Sequence, residues 1–173
     1  MPEPEKTLVG KQGEFIILAN LSEMGISAYH IDAADTDIVC IAHTERPIRI
    51  QVKAMVSNIG ETFRVRKRHN HYYDENSFEI VACVILDTKE IYYLNFKAIK
   101  SIYGDGGSVT VKKLRQFTYG LTVEECWNKA VKKYYPGFLI EERKDESYLS
   151  RLNGNGSDSG KRSEGQLQQG VLF

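Results

Sequence analysis

Apolar residues recur with helical spacing near the amino terminus of the chain. Between residues 11 and 24 they lie close to one helical face, at Phe15, Ile16, Leu18, Ala19 and Leu21. Gly25 follows, and glycine readily adopts the left-handed conformation that ends many helices. The pattern therefore predicts a helix over residues 11–24.

Short apolar runs separated by turn residues predict strands after this helix. The first three lie at residues 27–31, 37–42 and 47–53. Two more, at 78–86 and 91–95, flank Asp87-Thr88-Lys89-Glu90 and have the pattern of a hairpin. Residues 98–103 predict a short helix or turn, and residues 109–111 a further strand. These elements together indicate an α/β fold.

The carboxyl-terminal third of the chain divides into a helix and a polar tail. Thr122 and Glu125 have the spacing of a capping box, which predicts a helix over residues 122–134 that ends before Pro136-Gly137. From Glu141 the sequence becomes charged and then rich in Asn, Gly, Ser, Lys and Gln, and such a composition cannot bury enough apolar surface to fold. We therefore expect one folded domain over residues 1–140 and a disordered tail over 141–173.

Composition narrows the class of protein without choosing its function. With 173 residues, 42% hydrophobic and 27% charged, the chain is long enough for one domain with a hydrophobic core. Its formal net charge is zero, so DNA binding would depend on local basic patches. The three cysteines lack the spacing of a zinc or redox site, and they predict buried thiols in a reducing compartment. Without a signal-like or membrane-spanning run, the expected location is the cytoplasm.

The third predicted strand carries the most informative residues. Alternate residues of a strand point to opposite faces, so Gln51 and Lys53 share one face while Ile48, Ile50 and Val52 share the other. Asp37 lies on the strand before it. A carboxylate can hold a divalent metal, an amide oxygen can add a ligand, and an ammonium can orient water or offset charge on a phosphate. The grouping suits hydrolysis of a phosphodiester.

These residues, in this order of elements, resemble the PD-(D/E)XK nuclease superfamily. The resemblance is strongest to the branch with Gln-x-Lys in place of Glu-x-Lys, which includes a cyanobacterial group I intron homing endonuclease. It covers about residues 11–97 and rests on Gly13-Glu14 opening the first helix, Asp37-Ile38-Val39 and Ile50-Gln51-Val52-Lys53. It implies a restriction-endonuclease-like core, a mixed sheet flanked by helices, and Mg²⁺-dependent cleavage of DNA.

The resemblance also implies a role for each site residue. Asp37 would bridge the metal, Gln51 would be a ligand or position water, Lys53 would be the catalytic lysine, and Glu14 would reach the metal or its waters. Thr36 stands where the family has proline, and Asp35 is a competing carboxylate on the same strand face. Glu14 has an alternative reading, in which it only favours the amino terminus of its helix. Lys53 alone would be an ordinary solvated residue.

Basic residues predict two DNA contacts, and the chain end predicts another partner. Arg64, Arg66, Lys67 and Arg68, followed by Tyr72 and Tyr73, could meet phosphates or form a solvated loop, and Lys112 and Lys113 form a second cluster. The end, with Gln169, Leu172 and Phe173, resembles peptides that dock on the bacterial sliding clamp, unless its apolar residues are coincidental. A homodimer would suit double-strand cutting. The alternatives to a DNA nuclease are a non-catalytic DNA-binding module of the same fold and an RNA-directed nuclease.

Overall fold

The computed structural model describes residues 3–33, 35–42, 45–56, 62–65, 73–74, 76–103, 108–133 and 135–140. All of them belong to the first of two units into which the chain divides, Met1–Ile140. The second unit, Glu141–Phe173, lies outside the described residues, and so do the predicted disordered tail and its clamp-binding end. The same is true of Arg66, Lys67 and Arg68 in the predicted DNA-binding run.

The described residues form a long first helix, a run of strands and then mostly helices. In chain order they are α1 (Glu3–Glu23), β1 (Ala28–Ala33), β2 (Thr36–Ala42), β3 (Glu45–Met55), β4 (Thr62–Arg64), β5 (Ile80–Ile85), β6 (Glu90–Asn95), α2 (Phe96–Tyr103), β7 (Ser108–Thr110), α3 (Val111–Phe117) and α4 (Val123–Val131), followed by a short 3-10 helix, Pro136–Phe138. None of these helices is long and apolar enough to cross a membrane.

Helix α1 is longer than its sequence pattern predicts. It begins at Glu3 rather than at residue 11. Pro4 is compatible with this start, because a proline in the first turn of a helix removes no hydrogen bond that the helix needs. Its predicted end is confirmed: Gly25 has φ +76°, Gly25 N–H donates to the carbonyl of Ser22, and Ile26 N–H donates to the carbonyl of Leu21. This is the Schellman pattern of a helix carboxyl terminus.

Five strands form one mixed sheet in the order β1-β2-β3-β5-β6. The strands pair antiparallel except for β3 and β5, which are parallel. The predicted hairpin at residues 78–95 is confirmed as β5 and β6. The predicted α/β fold with a mixed sheet flanked by helices is therefore confirmed.

Three elements differ from their predictions. Arg64 belongs to β4, which pairs with β7 in a second sheet of two strands, and not to a loop. Helix α3 was not predicted, because only Val111 and Leu114 are buried in its seven residues and no helical period is visible. Helix α4 ends at Val131, earlier than predicted, although the predicted capping box of Thr122 and Glu125 is present.

The large sheet has a hydrophobic cluster on each face. On one face α1 and α4 cover β2, β3, β5 and β6, with Ile17, Ile50 and Trp127 among the fully buried residues. On the other face α2, α3 and the small sheet cover β5 and β6. Tyr29 and Ile41, on β1 and β2, remain about half exposed. This second face is therefore covered over β5 and β6 and open over β1 and β2, and β3 lies at the boundary.

The cysteines are buried and free, as the sequence predicts. Burial raises the pKa of the Cys40 thiol to about 12 and raises the pKa values of Cys83 and Cys126 as well. Thiols that stay protonated are poor nucleophiles. The three side chains therefore belong to the core and contribute no reactive group.

Candidate functional site

The register between β2 and β3 brings the candidate residues together. Ile38 pairs with Ile50 and Val39 with Arg49, so the next position along β2 sets Asp37 beside Gln51. Ile38 and Ile50 lie in the core under α1, which directs Asp37, Gln51 and Lys53 to the opposite face. The structure confirms that Ile48, Ile50 and Val52 share one face of β3, apart from Gln51 and Lys53. The three side chains lie where the open part of that face begins.

Asp37 is fixed by two hydrogen bonds to one of its oxygens. The Gln51 side-chain amide donates through Nε2 to Asp37 Oδ2, and the backbone N–H of Val52 donates to the same oxygen at 2.6 Å. Among the described residues nothing donates to Asp37 Oδ1. Asp35 lies in the turn before β2, where Ser77 Oγ donates to it at 3.2 Å. Both hydrogen bonds thus tie Asp37, on β2, to β3.

The surroundings of Asp37 oppose its ionisation on balance. Burial raises the pKa of its carboxyl group, and the hydrogen bond from Val52 lowers it. The nearby carboxylate of Glu14 raises it further, while the ammonium groups of Lys53 and Lys11 lower it. A bound cation would offset the cost of burying these negative charges.

Helix α1, which carries Glu14, packs very close to β3. Gly13 faces Ala54, and a Cβ added to Gly13 would lie only 2.5 Å from the Cβ of Ala54. Glu14 is only 9% exposed, and its Oε2 accepts from Lys11 Nζ at 2.9 Å and lies 2.7 Å from His30 Nε2. Contrary to the prediction, Gly13 and Glu14 do not open the helix, since α1 begins at Glu3.

Lys53 is held by an aromatic residue from a distant part of the chain. Its Nζ donates to the hydroxyl of Tyr73 at 2.9 Å and lies 5.2 Å from the centroid of the Tyr73 ring. Tyr73 is 8% exposed and belongs to the cluster on the partly covered face. It is therefore a core residue, although it lies close in sequence to the predicted basic run.

The oxygen donors near Asp37 fit a magnesium ion by their chemistry. Mg²⁺ prefers oxygen ligands, keeps several waters and commonly takes one or two carboxylates from a protein. Asp37 Oδ1, Gln51 Oε1 and Glu14 Oε1 accept no hydrogen bond within the described part of the chain. In that same part, no three His, Cys, Asp or Glu side chains form a metal-binding group. An ion here would therefore depend on the Gln51 amide, water and substrate as well as on the carboxylates.

The predicted DNA-binding residues that the structure describes are exposed. Arg64 lies on β4, and Lys112 and Lys113 lie on α3. Lys112 also lines an open depression with Arg115, Gln116 and Tyr119, and Tyr119 is 90% exposed. Arg115 is engaged by Glu90, whose carboxylate accepts two hydrogen bonds from it, at 2.7 and 2.9 Å. The surface around α3 combines basic and aromatic side chains.

Sequence reasoning missed three of the contacts in this region. His30 lies against Glu14 across 16 positions of sequence, and no local pattern signals this contact. Lys11 is three residues before Glu14 on a helix, a spacing that does favour an ion pair and could have signalled the contact. The Tyr73 contact with Lys53 has no local signal.

The chain is similar to the structure of a bacterial homing endonuclease, I-Ssp6803I, with a TM-score of 0.45 and 16% sequence identity over 60% of this chain and 76% of that chain. No protein-family model matches the sequence. No curated protein matches it either. These values assign the chain to no family.

Proposed function

We propose that the protein is a Mg²⁺-dependent DNA endonuclease of the PD-(D/E)XK type. Asp37, Gln51, Lys53 and Glu14 form its site. The observation that carries the proposal is the pairing of Asp37 with Gln51 across β2 and β3, with Lys53 on the same face. A carboxylate, an amide and an ammonium side by side on a partly open sheet match the needs of phosphodiester hydrolysis.

Each residue has a part that follows from its chemistry. Asp37, Gln51 and Glu14 would hold Mg²⁺, which when bound acts as a Lewis acid on the phosphate and lowers the pKa of a water molecule. Gln51 donates through Nε2 to Asp37, so its carbonyl oxygen remains the acceptor end of the amide. Lys53 orients the attacking water or stabilises the negative charge that develops on the phosphate. Cleavage leaves 5′-phosphate and 3′-hydroxyl ends, as the resemblance implies.

The surroundings of the site suit a large polyanionic substrate. The sheet face beside Asp37 is open over β1 and β2, where Tyr29 and Ile41 are about half exposed. Arg64, Lys112 and Lys113 are exposed cations that can neutralise backbone phosphates. Since the chain has no net charge, such local groups must supply the attraction.

One observation favours a second function, a DNA-binding module without catalysis. Gln51 is neutral, and its hydrogen bond to Asp37 satisfies part of a buried carboxylate without any metal. A site with fewer negative ligands binds divalent cations less tightly. In that case DNA would bind with the same affinity in the presence or absence of magnesium.

The test is cleavage of supercoiled plasmid and of a synthetic four-way junction, in magnesium or in EDTA. We expect cutting in magnesium alone, and a loss of at least about 100-fold in Asp37→Asn and Lys53→Met. Asp35→Asn is the matched control, since it removes the neighbouring carboxylate outside the Asp37–Gln51 pair. Single-stranded and duplex RNA of the same sequence identify the preferred nucleic acid.

Three outcomes have different meanings. Cutting that persists in Asp37→Asn but disappears in Asp35→Asn would transfer the metal-bridging role to Asp35. Binding of DNA without cutting, unchanged by EDTA and by Lys53→Met, would establish the module instead. Cutting that prefers RNA would keep the site and change its substrate.

A further inference from the structure

We propose that Tyr73 is a positioning residue for Lys53, an inference that rests on the proposed nuclease function. The direct observation is the 2.9 Å hydrogen bond from Lys53 Nζ to the Tyr73 hydroxyl. A lysine ammonium has only donors, so the phenolic oxygen is the acceptor. The bond spans 20 positions of sequence and joins β3 to a segment outside the strands of the sheet.

Tyr73 has the rigidity that a positioning residue needs. It is 8% exposed, and its ring packs edge-on against Phe78 at 4.8 Å and 75°. A second edge contact joins it to Phe96 at 6.4 Å and 86°. Lysine has a flexible four-carbon chain and loses much rotational freedom when it is fixed. A hydroxyl on a packed ring is a stationary acceptor that restricts the ammonium to one region.

The neutral partner also preserves the charge that catalysis would use. A carboxylate at this position would neutralise Lys53, whereas a phenol accepts a hydrogen bond without removing the positive charge. The ammonium has three N–H groups, and this bond uses one of them. Tyr73 therefore orients Lys53 toward the face it shares with Asp37 and leaves it cationic for the phosphate.

The experiment compares Tyr73→Phe with Tyr92→Phe in the cleavage assay. Tyr92 is a matched control because it lies in the same buried cluster and its hydroxyl donates to Glu90, away from Lys53. We expect Tyr73→Phe to lower kcat by about 10-fold to 100-fold with KM for DNA unchanged, since a small misplacement of a catalytic group has such an effect. We expect Tyr92→Phe to retain the wild-type kcat. Equal kcat in wild type and Tyr73→Phe would overturn the inference.

Two further measurements separate positioning from a structural role. In a Lys53→Met background Tyr73→Phe should have no additional effect on cleavage, because a residue that acts through Lys53 has nothing left to position. Acylation of lysines, read by mass spectrometry, should be faster at Lys53 in Tyr73→Phe than in wild type, with the exposed Lys112 as internal reference. If Tyr73 is only a core residue, the stability of the variant falls while acylation of Lys53 is unchanged.

The labelling measurement does not depend on catalysis. If the wild-type protein cuts no substrate, the proposed function fails, and the rate of Lys53 acylation still shows whether the Tyr73 contact restrains this lysine. If the wild type cuts and Tyr73→Phe cuts equally well, only the positioning inference fails. The two failures are thus distinguishable.

Discussion

The close contact between Gly13 and Ala54 makes a sharp prediction about stability. A Cβ at position 13 would lie 2.5 Å from the Cβ of Ala54, where ordinary contacts are 3.4 Å or longer. Neither atom is the end of a flexible side chain, so Gly13→Ala requires α1 and β3 to separate by roughly an ångström. Overpacking of this kind costs about 1–3 kcal/mol. The same substitution gains about 0.8–1 kcal/mol of helix propensity, which offsets part of the loss.

Gly10→Ala supplies the matched control on the same helix. An added Cβ at Gly10 has nothing within 4 Å, so this variant should show only the gain in propensity, about 0.8–1 kcal/mol. The difference in free energy of unfolding between the two variants then isolates the clash at about 1–3 kcal/mol. Urea unfolding at constant temperature measures both variants, and Ala54→Gly should rescue Gly13→Ala. If Gly13→Ala stabilises as much as Gly10→Ala, the close packing of α1 on β3 is wrong.

Two further predictions concern charge. If α3 binds DNA, replacing Lys112 and Lys113 with alanine should make the slope of log affinity against log salt shallower by about 0.9 for each lost phosphate contact. The exposed Lys132→Ala is the control. An unchanged slope, or an equal effect of Lys132→Ala, would contradict DNA binding by α3. The pKa of Glu90 is lowered to about 2, and the hydrogen bonds from Arg115 make the largest contribution to this shift. A carboxyl group with a lowered folded-state pKa stabilises the fold above its ordinary pKa of 4.5 and loses this contribution as pH falls toward 2. The difference in unfolding free energy between wild type and Glu90→Gln should therefore be constant well above pH 4.5 and shrink as pH falls toward 2, whereas a difference that is undiminished at about pH 2.5 would refute the ion pair.

The parts of the fold that could be predicted are those set by local pattern. Alternation along residues 47–53 separated Gln51 and Lys53 from Ile50, and the structure has that division. The turn at Gly25 and the capping box at Thr122 were predictable because each depends on residues within one helical turn. The choice of Asp37 over Asp35 was made from the start of the apolar strand, and it stays a prediction.

The parts that could not be predicted depend on contacts between distant segments. Strand β4 pairs with β7 across more than forty positions, and three-residue strands carry too short an alternation to be recognised. The partner of Lys53 is of the same kind, since Tyr73 follows a basic run whose local composition favours solvent. A sequence pattern reports the face on which a side chain lies, but the opposing residue is decided by the tertiary fold.

The position of Glu14 within α1 helps to decide between its two possible roles. A glutamate in the first turn of a helix is stabilised by the helix dipole, and that would explain Glu14 without any function. Helix α1 begins at Glu3, so Glu14 lies three turns into the helix, where this stabilisation has faded. Its carboxylate is nonetheless 9% exposed and held by Lys11 and His30, within range of Asp37. The negative charges of two buried carboxylates repel each other, and a bound cation would offset this repulsion. The charge of Glu14 therefore favours cation binding at the proposed site.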